Sequence, residues 1–300
     1  MKEQFLSGFV AIIGSPNVGK STLMNALTGQ KISIVSKRAQ TTRNQIRGVL
    51  SRENYQIVFI DTPGIHTPKN RLGDYMVKMA YGALDEVECI LYLLDPVNGL
   101  REKDEAILER LRHVKAPVLA LINKIDIARP EQIEGVKARL EQESWLKGIY
   151  EISAAGGQGL SELESVLQGY LEEGPQYFPE DMVTDQPERV ICAEIIREAA
   201  LELLREEVPH GIGVEVEKMQ DREDAPLTDV WATIYCERPG HKGIIIGKHG
   251  ETLKQIGIQS RKEMEWMLGR RVNLQLWVKV RENWRNKAFD LKMLGYQEEK

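Results

Sequence analysis

Cysteine is nearly missing from this 300-residue chain, and its scarcity bounds what the chain can be. Cys89, Cys192 and Cys236 stand far apart in apolar segments. They are too few and too scattered for a disulfide framework or a thiolate metal cluster, and they read as reduced core residues of a cytoplasmic protein. Also lacking is any apolar run long enough to span a bilayer, and the N-terminus shows no secretory pattern. A net charge of −5 does not mark the chain as a whole as a polyanion binder. What remains, 42% hydrophobic and 28% charged, is an ordinary soluble composition with length for two domains.

Against that plain background one segment stands out. Gly14-Ser15-Pro16-Asn17-Val18-Gly19-Lys20-Ser21, followed by Thr22, matches G-x-x-x-x-G-K-[ST], a phosphate-binding loop. Two glycines let consecutive backbone N–H groups curl around a β-phosphate. Lys20 supplies a mobile cation for the β/γ oxygens, and Ser21 offers a hydroxyl to Mg²⁺. The apolar run 9–13 reads as a buried parallel strand feeding this loop, and 21–27 as the helix that leaves it.

Two further segments name the nucleotide. Asn123-Lys124-Ile125-Asp126 follows the apolar strand 117–122. A carboxylate at Asp126 accepts from both the ring N–H and the exocyclic amine of guanine, a donor pair that adenine lacks. Asn123 is expected to tie this loop to the phosphate loop, Lys124 to lie along the base, and Ser153-Ala154 to present backbone N–H groups to the guanine oxygen. Between these segments, Asp61-Thr62-Pro63-Gly64 ends the strand 56–60. Asp61 is expected to hold Mg²⁺ through water, and the Gly64 N–H to meet a γ-phosphate oxygen. Gln40-Thr41-Thr42-Arg43 reads as the first switch, with Thr42 closing over Mg²⁺ and γ-phosphate and Thr41 as the alternative.

Ile65 occupies the position where many GTPases carry the glutamine that orients the attacking water. Catalysis therefore falls to positioning and electrostatics through Lys20, Thr42, Gly64 and Asn17. The Asn17 amide oxygen is placed to hold K⁺ against the phosphates, and hydrolysis by the protein alone is expected to be slow.

Strands at 9–13, 46–50, 56–60, 89–94, 117–122 and 150–152 alternate with helices at 21–27, 74–84, 102–112, 132–143 and 161–171. That alternation predicts a doubly wound, mostly parallel α/β sheet with the motif loops at the strands' carboxyl ends. The domain is expected over 1–174, and Gly174-Pro-Gln-Tyr-Phe-Pro-Glu-Asp181 opens a linker over 175–187. From 188 to 300 the order is helix (190–204), strands 212–219 and 229–237, a short apolar segment 243–246, helix 251–268 and strand 272–280. Gly247-Lys248-His249-Gly250 sits between the last two helical pieces. This is the order of a smaller α+β type-II KH domain, whose Gly-x-x-Gly loop clamps the backbone of single-stranded nucleic acid.

Charge is divided unevenly along this region: 181–237 holds five basic and fifteen acidic residues, −10, whereas 238–287 holds twelve and four, +8. Such a basic segment is the footprint of a nucleic-acid face. Lys248, His249 and Lys254 are the candidates around the glycine loop, Lys279 and Arg281 on and after the last strand. Along that strand Val272, Leu274, Leu276, Val278 and Val280 are expected to point into the core and Trp277, Lys279 and Arg281 outward. Trp277 reads equally as a packing residue or a base-stacking one. The tail 281–287 reads as a solvated helix face or an RNA contact, the latter preferred.

With Gly-Ser-Pro-Asn-Val-Gly-Lys-Ser, Gln-Thr-Thr-Arg, Asp-Thr-Pro-Gly and Asn-Lys-Ile-Asp in one domain and Ile-Ile-Gly-Lys-His-Gly in the next, the chain resembles the Era family of bacterial GTPases over nearly its whole length. The segments Tyr177-Phe-Pro-Glu-Asp181 and Leu276-Trp-Val-Lys-Val280 are similar too. The resemblance implies binding of GTP, GDP and Mg²⁺, contact with the 3′ region of 16S ribosomal RNA, and a part in small-subunit assembly. It also implies the peripheral association with the inner membrane that some of the family show, and no DNA. Because only one phosphate loop is present, relatives with two tandem G domains are excluded.

Overall fold

The computed structural model describes residues 4–36 and 41–296, so Gln40 of the expected first switch lies outside the described residues. The chain divides into two compact units, the first reaching residue 68 and resuming at 73–185, the second comprising 69–72 and everything from 186.

In the first unit the elements run β1 (Leu6–Gly14), α1 (Lys20–Thr28), β2 (Ile46–Ser51), β3 (Tyr55–Asp61), α2 (Arg71–Gly82), β4 (Cys89–Leu94), α3 (Glu102–Leu111), β5 (Val118–Ile122), α4 (Pro130–Leu140), β6 (Gly148–Glu151), α5 (Leu160–Gln168) and the short β7 (Glu172–Glu173). The strand order is β2-β3-β1-β4-β5-β6, with β7 pairing β1. All pairs are parallel except β2 with β3 and β7 with β1. Alternate residues of β1 serve two layers, as pleating requires. Val10 and Ile12 pack with Leu23, Met24 and Leu27 of α1 and Leu163 and Leu167 of α5. Ala11 and Ile13 pack with Ala80 of α2, Ile107 and Leu111 of α3, and Leu140 of α4. Each of the larger side chains contributes about 1.5–3 kcal/mol by leaving water. The sheet is covered on both faces, and β4 and β5 near its centre are accordingly apolar throughout. What stays open is the row of loops at the strands' carboxyl ends, where the sequence motifs lie.

The segment expected as a linker is fastened to this unit through Asp185, a correction to the boundary at 174. Gln56, buried in β3, donates to the Phe178 carbonyl at 2.9 Å and accepts from the Phe178 N–H at 3.0 Å. Farther along, the Val49 N–H donates to Val183 O at 2.8 Å, Thr184 Oγ1 to Arg47 O at 2.7 Å, and Arg47 pairs with Asp185 at 2.8 Å. Two prolines keep the segment from forming a regular strand, but β2 and β3 hold it all the same.

The second unit contains α6 (Glu188–Leu203), β8 (Gly213–Asp221), β9 (Leu227–Cys236), α7 (Pro239–Ile246), α8 (Glu251–Leu268), β10 (Arg271–Val280) and α9 (Ala288–Met293). Its sheet runs β10-β9-β8, antiparallel between β8 and β9 and parallel between β9 and β10. Residues 243–246, expected as a short apolar helical piece, form the second half of helix α7, which begins earlier, with Pro239 in its first turn. The core joins Cys192, Ile196 and Ala200 of α6 and Ile256 and Met264 of α8 to Ala232 and Ile234 of β9 and Val272 and Val278 of β10. The helices thus cover one face of the sheet.

Residues 281–287 do not form a regular solvated helix; 284–286 make one short turn anchored by Trp284. Trp284 is fully buried, donates Nε1–H to Gly211 O at 2.9 Å and stacks with Tyr296 at 6.1 Å between ring centres. The tail is part of this unit's fold.

Candidate functional site

The phosphate loop joins β1 to α1 and follows the chemistry its sequence implies. Gly19 sits at φ 105°, and a Cβ there would run into Asn123 Nδ2, so only glycine lets the two loops close on each other. Asn123 makes that closure, donating Nδ2–H to Val18 O at 2.8 Å. Lys20, 6% exposed, donates to Gly14 O at 3.2 Å and Ser15 O at 3.1 Å. Burial pushes its ammonium down to about 8, with nearby Asp61 opposing the shift and Lys103 adding to it. Ser15 donates to the buried carboxylate of Asp104.

Asp61 closes β3 beside this loop. Its Oδ2 accepts from Ser21 Oγ at 2.7 Å, Ser33 Oγ at 3.0 Å and Thr42 Oγ1 at 3.3 Å, while Ser21 and Thr42 lie 2.9 Å apart. Its Oδ1 is buried and has no hydrogen-bond partner among the described residues. Burial raises the Asp61 pKa, with Lys20 and the three hydroxyls opposing it. A buried carboxylate oxygen left unsatisfied next to two more hydroxyl oxygens is the donor set that a hard divalent cation takes up. A cavity of about 290 Å³ opens in front of these groups, lined by Pro16, Asn17, Lys20, Ser21, Thr22, Thr41, Thr42, Gly64 and Lys124 among others.

Gly64 presses against the phosphate loop, and a Cβ there would lie 2.8 Å from Pro16 Cα. Thr62 Oγ1 donates to Ile12 O at 2.7 Å, which anchors the stretch Asp61–Gly64 through Pro63. Ile65 contributes only its backbone N–H, which donates to Gly14 O at 3.1 Å. Its side chain is buried in the α2–α3 layer and does not face the cavity.

On the base side, Lys124 Nζ bridges Asn17 O and Asp95 Oδ2, both at 2.7 Å. Asp126 accepts from Ser153 Oγ at 2.6 Å. Ser153 N–H donates to Gln158 O at 3.1 Å and Ala154 N–H to Asn123 Oδ1 at 2.9 Å. Both N–H groups expected at the guanine oxygen are therefore engaged inside the loop, because Asn123 needs a donor to orient its amide. Sequence reading missed four residues: Asp95, Asp104, Ser33 and Asn25. Asp95 left a trace, since an aspartate before Pro96-Val97-Asn98 reads as a helix cap and does accept from Val97 N–H. The others left none.

The glycine loop of the second unit lies between α7 and α8. Gly247 has φ 76°, and a Cβ there would strike Thr252 Oγ1. His249 is left-handed at φ 53°, and Lys248 and His249 project into solvent. Gly250 caps α8, so the helix's first N–H groups face outward beside Lys254. From this loop a groove of about 430 Å³ runs between α8 and β10, lined by Leu253, Lys254, Gly257, Ile258, Arg261, Leu274 and Leu276. Leu274 and Leu276, expected in the core, are only half-buried and form its apolar wall.

The nucleic-acid candidates do not share one surface. Trp277 and Lys279 alternate with Val272 and Val278, so they emerge on the sheet face away from α6 and α8. Trp277 is 42% exposed there, so it is not a core residue, and it does not line the groove. Lys279 pairs with Glu217 at 3.1 Å. Arg281 pairs with the buried Asp290 at 2.9 Å and stands 4.9 Å over the Tyr235 ring, a packing role.

Among the described residues no helix is long and apolar enough to cross a membrane. Nor, among the same residues, is any cluster of three or more His, Cys, Asp or Glu side chains placed to hold a metal.

Comparison with known proteins gives two family-model matches: a 50S ribosome-binding GTPase over residues 9–124 and a KH domain over 207–285. Curated relatives match nearly end to end. GTPase Era of Clostridioides difficile is 51% identical over 295 residues, covering 98% of this chain and 99% of its own. GTPase Era of Caldicellulosiruptor saccharolyticus is 52% identical over 293 residues, covering 97% and 98%. Among solved structures, Era in complex with MgGDPNP and nucleotides 1506–1542 of 16S ribosomal RNA superimposes with a TM-score of 0.94 at 42% identity, covering 98% of this chain and 100% of that one. A tyrosine-to-alanine variant of Aquifex aeolicus Era bound to GDP and AlF4⁻ superimposes with a TM-score of 0.92 at 41% identity, with the same coverage.

Proposed function

The chain belongs to the Era family of GTPases, and on that premise we propose that it is a GTP-driven switch acting on 16S ribosomal RNA during small-subunit assembly. It hydrolyses GTP to GDP and phosphate. The observation that carries the site assignment is Asp61, whose Oδ2 gathers three hydroxyl donors and whose Oδ1 stays unsatisfied. Ser21, Thr42 and Asp61 would hold Mg²⁺, which when bound neutralises charge building on the phosphate oxygens.

The chain's own groups do the rest. Backbone N–H groups of the phosphate loop cradle the β-phosphate, and Lys20 exchanges its two carbonyl partners for phosphate oxygens. Thr42 and the Gly64 N–H close over the γ-phosphate. Asp126, oriented by Ser153, selects guanine. With Ile65 turned into the core, no side chain at that position orients water. Slow hydrolysis by the isolated protein follows, with a K⁺ ion held by the Asn17 amide as the supplementary charge.

For the second unit, related Era bound to the 16S fragment 1506–1542 supports the same target here. Gly247–Gly250 and Lys254 would grip the sugar-phosphate backbone and the groove would receive bases, as in other KH domains. The cytoplasm is the compartment this function requires, with peripheral contact at the inner face of the membrane a further reading. The test is binding of a fluorescent single strand carrying the 16S 3′ sequence. Gly247→Asp and Lys248→Glu should each weaken it at least about 10-fold while leaving GTP affinity unchanged. RNA affinity equal to wild type in both variants would point to a protein-docking or membrane-docking role for this unit.

A further inference from the structure

We propose that Ser33 is a positioning residue for the magnesium site, holding the Asp61 carboxylate in register whichever nucleotide is bound, and that Asn25 is its anchor. The inference rests on the assignment of Ser21, Thr42 and Asp61 made above.

Ser33 is 1% exposed and donates to Asp61 Oδ2 at 3.0 Å. Its backbone is clamped from α1. Asn25 Oδ1 accepts from the N–H groups of Ile32 at 3.0 Å and Ser33 at 2.9 Å, and Asn25 Nδ2 donates to Ser33 O at 2.7 Å. Asn25 stands four residues after Ser21, one helical turn along the same face. The helix that presents the Ser21 hydroxyl therefore also fixes, through Asn25, the position of the Ser33 hydroxyl.

Thr42 differs from Ser33 in where its position comes from. The Thr42 hydroxyl reaches Asp61 from a segment of the type that γ-phosphate orders and hydrolysis releases. Ser33 precedes the cavity-lining residues Ile34, Val35 and Ser36 and is tied to α1. With Thr42 withdrawn after hydrolysis, Ser33 would still engage Oδ2 and keep the Asp61 carboxylate oriented to hold the metal. Retention of Mg²⁺ in the GDP state therefore depends on Ser33 more than retention in the GTP state does. Groups that orient a metal ligand in this way typically contribute 10- to 100-fold to metal affinity.

The full-length protein is loaded with mant-GDP or mant-GppNHp, and nucleotide release into excess unlabelled nucleotide is followed across free Mg²⁺ concentrations. Ser33→Ala should raise the Mg²⁺ half-point for mant-GDP release about 10-fold, and for mant-GppNHp by a smaller factor. Release in EDTA should stay at the wild-type rate, which general damage to the loop would not allow. Asn25→Ala, which keeps the hydroxyl and removes its anchor, should shift the mant-GDP half-point in the same direction, and it decides the matter should Ser33→Ala fail to fold. Wild-type half-points in these variants overturn the role of Ser33. Wild-type release that ignores Mg²⁺ altogether overturns the metal assignment itself.

Discussion

Lys20 should take up a proton when nucleotide binds. In the nucleotide-free loop its ammonium is desolvated and its hydrogen bonds go to two neutral carbonyls, which pushes its pKa from 10.5 to about 8. Phosphate oxygens favour the charged form and return it toward its ordinary value. At pH 8 about half of the free sites lack the proton and nearly all bound ones carry it, so binding should absorb about 0.5 proton per GDP, against about 0.1 at pH 7. Above pH 8 the affinity should fall toward tenfold per pH unit. The same shift sets the sign of a stability effect. A lysine whose folded pKa lies below its unfolded one opposes folding while charged, here by about 3 kcal/mol below pH 8. That opposition fades between pH 8 and 10.5, so Lys20 makes nucleotide-free stability rise with pH across that window. Calorimetric titration with GDP in two buffers of unlike ionisation enthalpy reads the proton count directly. Mg²⁺ is omitted, because metal binding at Asp61, whose pKa burial raises, would add a proton linkage of its own to the count. Zero uptake at pH 8, or net release, would refute the argument.

Asp126→Asn should cost about 10²–10⁴ in GTP affinity, two charge-assisted hydrogen bonds at about 1.5–3 kcal/mol each, and should erase the preference over ATP; calorimetry with both nucleotides measures it. Asn17→Ala should lower the GTPase rate in K⁺ and leave the rate in Na⁺ nearly unchanged. Identical rates for the wild type in the two salts would dispose of the cation hypothesis.

Much of the first unit was legible because its chemistry is local. A strand buried on both faces must be continuously apolar, so β1, β3, β4 and β5 announce themselves, and the motif loops at their ends carry spacings that only phosphate and guanine recognition require. What was not legible depends on partners distant in sequence. Polar Ser7 belongs to β1 because that strand pairs with both β3 and β7. Gln56 is polar within an apolar strand because residue 178 comes back to meet its amide. Ser33 and Asn25 form no motif, and only folding brings them to Asp61. The Ala154 N–H was assigned to guanine on spacing alone, which cannot register the competing demand of Asn123.

The second unit shows how charge summed along a sequence misleads about charge on a surface. The +8 of residues 238–287 includes Arg270, Lys279, Arg281 and Arg285, and each meets a carboxylate: Glu188 and Asp221, Glu217, Asp290, and Glu237 respectively. Four of those five partners come from the acidic segment 181–237, so part of the basic segment's charge is paired within the folded unit. Lys279 was rightly assigned to the outward side of β10, but outward there is the sheet face opposite the groove. Among the described residues, the cations left at the groove and its loop are Lys248, Lys254 and Arg261, with only Lys254 near a carboxylate, at 3.9 Å. A single strand seated there should release about three counterions, and log K against log salt should fall with a slope near −2, from about −0.7 per neutralised phosphate. Fluorescence titrations of the 16S 3′ single strand between 50 and 200 mM salt measure that slope. A value near −6, as eight contacts would require, would mean that the paired arginines let go of their carboxylates for RNA and that both faces of the sheet take part.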